Sequence, residues 1–110
     1  MTKREGVYLI ATERMRQIKK ESWSETHDDE HEDGELALAA VCYALPTEVR
    51  HQRVFNKELY ELLWPWDSCW WNPKSRKRDL VRAGALIAAE LDKLLRAEQR
   101  HRNRKSKERL

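Results

Sequence analysis

Residues 26–35, THDDEHEDGE, place Asp28, Asp29, Glu30, Glu32, Asp33 and Glu35 within ten positions, together with His27 and His31. Carboxylates at this density suit a hard divalent cation, because Mg2+ takes oxygen ligands and keeps water in its remaining positions. On a helix running from about Thr26, Glu32 and Glu35 stand three apart and Asp28 and Glu32 four apart, so each pair shares a face. Asp79, near the start of a later helix and followed by an apolar stripe as Glu35 is, supplies the other side. Asp28, Glu32, Glu35 and Asp79 are therefore the candidate ligands for Mg2+, with Mn2+ as the alternative ion. His27 to His31 also spells HDDEH, formally a zinc-peptidase pattern. That chemistry needs a further ligand on a later helix and a cleft that 110 residues scarcely provide.

The elements that must position these groups follow from patterning. Val7, Ile10, Ala11, Met15 and Ile18 recur at steps of three and four, which predicts an amphipathic helix over about 5–21. Arg14, Arg16, Lys19 and Lys20 fall on its wet side. Ser24 and Thr26 are candidate N-caps, and Gly34 marks a kink or a later helix start. Residues 36–45, LALAAVCYAL, leave no polar face and predict a central helix, ended by Pro46. Residues 47–57 read as a loop with a short strand or turn, and 57–63 as two helical turns stopped by WPWD. A long helix is expected from about Ser75 to Arg100, where Leu80, Gly84, Ile87, Leu91 and Leu94 repeat at steps of four and three. Gly84, between two alanines, permits close helix contact there. The tail 99–110, basic and without an apolar face, is expected to be disordered.

Composition agrees with one all-α domain. The chain has 40% hydrophobic and 37% charged residues, with three glycines and three prolines. We expect a single domain over 1–98, built as a bundle of three to four helices with an aromatic-rich loop. So small an alanine-rich set buries more when paired, so a homodimer or higher oligomer is expected to complete it. Two cysteines form no disulfide framework, and no apolar run approaches the roughly 18 residues of a membrane span. A cytoplasmic protein with no membrane partner is the expectation.

The E-D-G-E-L of residues 32–36, with the alanine-rich helix after it and a second helix bearing an inward acid, resembles the MazG-like all-α nucleoside triphosphate pyrophosphohydrolases. HDDEH, GELALAA, WPWD and RKRDLVRAGAL further resemble segments of small MazG-like proteins common in bacteriophages and prophages, over about residues 14–95. That family carries an ExxE and a later ExxD motif whose four acids bind Mg2+. Glu32 and Glu35 match the first motif and Asp79 the last acid of the second, and these three are the implied catalytic residues. Arg76 stands where the second motif has its first acid, so either Asp28 or Asp67 substitutes or the set is incomplete.

The resemblance implies cleavage of a nucleoside triphosphate, ribo or deoxy, to monophosphate and pyrophosphate, with a metal-activated water as nucleophile. Lys74, Arg76, Lys77 and Arg78, at a helix amino terminus, would then bind phosphate. Trp64, Trp66, Trp70 and Trp71 offer stacking faces for a base, Trp66 and Trp70 above all. Two other readings stand beside hydrolysis: a non-catalytic protein that sequesters a nucleotide, which Arg76 favours, and a phage-encoded protein that meets a host partner through its tryptophans and tail. The acidic run disfavours nucleic acid as the main ligand, although the tail could bind it through phosphate contacts.

Overall fold

The computed structural model describes residues 4–20 and 34–109, and within these the chain is mostly helical. Asp28, Glu32, the two histidines of HDDEH, Trp23 and the capping residues Ser24 and Thr26 lie outside the described residues. Helix α1 spans Glu5–Lys20, α2 Glu35–Ala44 and the single turn α3 Thr47–Arg50. A two-residue antiparallel hairpin, β1 (Arg53–Val54) with β2 (Lys57–Glu58), leads into α4 (Leu59–Leu63). A 3-10 turn at Ser68–Trp70 precedes the long helix α5, Arg76–Glu108. No helix among the described residues is long and apolar enough to cross a membrane.

Local chemistry sets the boundaries. Gly34 holds φ 74°, a left-handed conformation that glycine adopts without penalty, and α2 begins directly after it. Pro46 follows the end of α2 and starts α3. Glu58 and Glu61 form a reciprocal capping box at the start of α4, each side chain meeting the other's backbone. Ser75 caps α5 by accepting from the Arg78 backbone N–H, with Asp79 in the first turn to complement the helix dipole.

The core lies between α2 and α5. Leu36, Ala39, Ala40 and Tyr43 pack with Ala83, Leu86 and Ala89, and Trp64, Trp66 and Trp71 close over the cluster. The small residues let the two helices approach closely. The pair is antiparallel, because the first turn of α5 lies against the last carbonyls of α2. Helix α1 rests on α5 at Gly84, where an added Cβ would lie 2.5 Å from Ile10 Cδ1. The close contact expected of Gly84 is thus made by Ile10.

Two apolar faces run opposite to expectation. On α1, Val7, Ala11, Met15 and Ile18 are exposed, Val7 by 77%, whereas Glu13, Arg14 and Gln17 are buried. On α5, Leu80, Ile87, Leu91 and Leu94 are exposed, and Val81, Ala83, Ala85, Leu86 and Ala89 point inward. Periodicity finds an apolar stripe without saying what covers it, and here the inward positions go to small residues and to charges with partners. Nor does α5 end near Arg100. It continues to Glu108 through the segment expected to be disordered, with Gln99 bonded to Asn103 and Arg102 to Gln99 along one face.

Candidate functional site

The carboxyl end of α2 leaves carbonyls that the helix cannot satisfy, and two arginines take them. Arg50, buried, donates from Nε to the Cys42 carbonyl at 3.0 Å and from Nη2 to the Tyr43 carbonyl at 2.7 Å. The same Nη2 reaches Asp79 Oδ2 at 2.9 Å, and Asp79 Oδ1 accepts from the Lys74 backbone N–H at 2.7 Å. Arg76 donates to the Ala44 and Leu45 carbonyls at 2.6 and 2.7 Å. Arg78 reaches Glu13 Oε1 at 2.6 Å.

This arrangement bears directly on the expected metal and phosphate groups. Asp79 is 1% exposed, with both oxygens engaged by this chain's own donors. It sits beside Tyr43 and Cys42, seven to eight residues along α2 from Glu35, or about 11 Å at 1.5 Å per residue. Ligands of one Mg2+ lie about 2 Å from the ion, so Glu35 and Asp79 do not share one in this structure. The described residues also include no group of three or more His, Cys, Asp or Glu side chains able to hold a metal. Asp28 and Glu32 fall outside them. Of the basic quartet, Arg76 closes the end of α2 and Arg78 pairs with α1, while the Lys74 and Lys77 side chains are exposed.

The residues that do converge are aromatic. Glu35, the first residue of α2, accepts from Trp66 Nε1 at 2.9 Å and so fixes the WPWD loop against the helix. Tyr43, Trp71 and Tyr60 stack in a column with centroids 4.9 and 5.0 Å apart. Trp64 stands edge-on to Tyr43 and Trp66, its Nε1 bonded to the Asp67 carbonyl. Around these rings opens a cleft of about 950 Å³, lined by Trp66, Trp70 and Trp71 together with Glu13, Arg16, Gln17 and Arg82. Trp70 is 68% exposed and presents its ring to solvent.

The polar wall of the cleft is set by α1 and α5. Arg16 makes a two-bond fork on Glu13, both at 2.8 Å. Burial pushes the Glu13 carboxyl up, but its bonds to Arg16 and Arg78 and their charges outweigh that and hold it below the usual value. Arg82 lies 4.6 Å over the Tyr43 ring and bonds the Asn72 carbonyl. Burial raises the Tyr43 phenol, which Arg82 partly offsets. Gln17 is 3% exposed, and its carboxamide oxygen finds no hydrogen-bond partner among the described residues. A buried amide oxygen left unpaired costs about 1–3 kcal/mol.

Trp66 and Trp70 therefore line one cleft, and Glu35 holds Trp66 in place. Arg16, Gln17, Arg50 and Arg82 are the residues that sequence reasoning missed. Arg50 and Arg82 are two among 22 lysines and arginines with no motif to mark them. A polar residue buried on α1 reads from sequence as part of its wet face. No family model, no curated protein and no solved structure matches the chain.

Proposed function

We propose that this protein binds a nucleotide in the aromatic cleft, with the base against Trp70 and Trp66 and the phosphates toward Arg82 and Arg16. The observation that carries this reading is the lining of the cleft, where Trp66, Trp70 and Trp71 share one space with Arg16 and Arg82. Aromatic faces accept the flat ring of a base through stacking. Guanidinium groups complement phosphate in charge and geometry. Nucleotide binding without a demonstrated metal centre agrees with Arg76 and Asp79 both serving the fold.

Titrating nucleoside mono- and triphosphates into the protein while following tryptophan emission tests the proposal. Saturable quenching by at least one nucleotide supports it, and no change with any of them overturns it. Pyrophosphate assayed in the same samples, with Mg2+ or Mn2+ and beside a Glu35→Gln variant, separates a nucleotide that is held from one that is hydrolysed. Release lost in the variant would restore the pyrophosphohydrolase reading through Glu35 with acids of residues 28–33.

A second copy of the chain is the proposed cover for the apolar faces of α1, α2 and α5. Val7, Tyr8, Leu38, Val41, Ile87 and Leu91 are all more than a third exposed, which is costly for a lone chain in water. Light scattering on the eluting protein at micromolar concentration should give at least the dimer mass. A monomer mass would contradict it.

A further inference from the structure

Every residue from Ala97 to Arg109 is exposed, over about 20 Å of helix. Residues 96–109 carry seven lysines and arginines against two glutamates, a net of +5 in a chain whose total is +3, so everything outside the segment sums to −2. The positive charge of this protein is thus gathered on one exposed rod.

The charges on the rod are ordered around its axis. At 100° per residue, Arg100, Arg104 and Lys107 fall within about 60° of one another, and so do Arg102, Lys105 and Arg109 on the far side. Between these two basic stripes, roughly centred and about 100° from each, runs a third line of Gln99, Asn103 and Ser106. Gln99 and Asn103 are already bonded at 3.0 Å, and Arg102 bonds Gln99 at 2.6 Å, so the amides are held in line. His101 and Glu108 occupy the opposite face.

We infer that residues 96–109 of α5 form a double-stranded DNA-binding helix that lies in the major groove. That groove is about 12 Å wide and admits a helix of about 10–12 Å diameter, with a phosphate backbone along each side. The two basic stripes face the two backbones, and the Gln99, Asn103, Ser106 line faces the base edges, where amide and hydroxyl groups are competent readers. A-form RNA closes its major groove to side chains, so it does not accept this arrangement. A membrane surface fits poorly, because residues 99–109 include no apolar side chain to enter the lipid. The inference is independent of the nucleotide cleft.

The test is fluorescence anisotropy of the full-length protein with a labelled 30-base-pair DNA duplex, the matching RNA duplex and the single DNA strand, with sedimentation on phosphatidylserine vesicles alongside. Duplex DNA should bind most tightly. Its affinity should fall with salt at a log–log slope of about −0.9 for each phosphate contact, or about −5 for six contacts. Arg100→Glu/Arg104→Glu/Lys107→Glu and Arg102→Glu/Lys105→Glu/Arg109→Glu should each weaken binding at least tenfold on every duplex sequence. Arg53→Glu/Lys57→Glu, a charge reversal on the distant hairpin, should leave affinity within twofold. Circular dichroism of each triple variant should keep the native helical signal, so that lost binding reports charge. No binding to duplex DNA at 50 mM salt, equal or tighter binding to RNA, single strand or vesicles, or unchanged affinity in both triple variants would overturn the inference.

Discussion

Arg50 Nη2 and Asp79 Oδ2 meet at 2.9 Å between side chains that are 5% and 1% exposed, and the same guanidinium holds the last carbonyls of α2. This one contact ties α3 to α5 and both to the carboxyl end of α2, behind the aromatic column and with Arg50 5.3 Å over Trp71. Removing either partner leaves a charge in a nearly dry site. We expect Arg50→Ala and Asp79→Ala each to cost about 3–5 kcal/mol in urea unfolding. Arg50→Lys should rescue little, since one ammonium cannot serve two carbonyls and a carboxylate in a plane. A loss under about 1 kcal/mol in both alanine variants would show the pair to be dispensable.

Gly84 and Ile10 set the spacing of α1 and α5. Alanine at 84 would raise helix propensity by about 1 kcal/mol, yet its Cβ would meet Ile10 Cδ1 at 2.5 Å and Cγ1 at 2.7 Å. Overpacking of this kind costs about 1–3 kcal/mol, so Gly84→Ala should be neutral to destabilising. In an Ile10→Ala background the same change should stabilise. Urea midpoints of the four proteins in this cycle decide it, and a clear gain for Gly84→Ala alone would mean that the contact is loose.

How much of this could be read from the chain divides along clear lines. Helix α2, its stop at Pro46, the start of α5 near Ser75 and the helical turns before WPWD were legible, because apolar runs and proline act locally. The outward faces of α1 and α5 were not, because a stripe of Val7, Met15 and Ile18 looks the same whether it meets its own core or nothing. Glu35 stood out in the sequence as a candidate metal ligand, and its contact with Trp66, 31 residues away, was not legible. Asp79 was legible as an inward acid, while its capture by Arg50 depends on a loop whose path no periodicity describes. The helical tail was missed because single polar pairs such as Gln99 with Asn103 are weak individually and invisible to an apolar pattern.

The two thiols should differ sharply. Burial pushes Cys42 up to about 11, with Arg50 offsetting part of the effect. Cys69 is exposed, and its hydrogen bond to Asp67 favours the thiol and raises it above the ordinary value. At pH 8 a thiol-specific reagent should modify one cysteine per native chain and the second only in denaturant. The Cys69 rate should climb with pH beyond the ordinary thiol range. Asp67→Ala removes the acceptor, lowers the Cys69 pKa and should speed its reaction at pH 8. Two fast thiols in the native protein would contradict the burial of Cys42.

Isothermal titration of nucleotides into native protein and a Trp70→Ala variant shows whether the aromatic cleft holds a nucleotide. Trp70 is 68% exposed, so its loss should leave the urea midpoint almost unchanged while removing a stacking face worth about 1–3 kcal/mol. Saturable heat is expected with at least one nucleotide, with a Kd about tenfold or more weaker in the variant. No heat with any nucleotide, or the same Kd in both proteins, would contradict it.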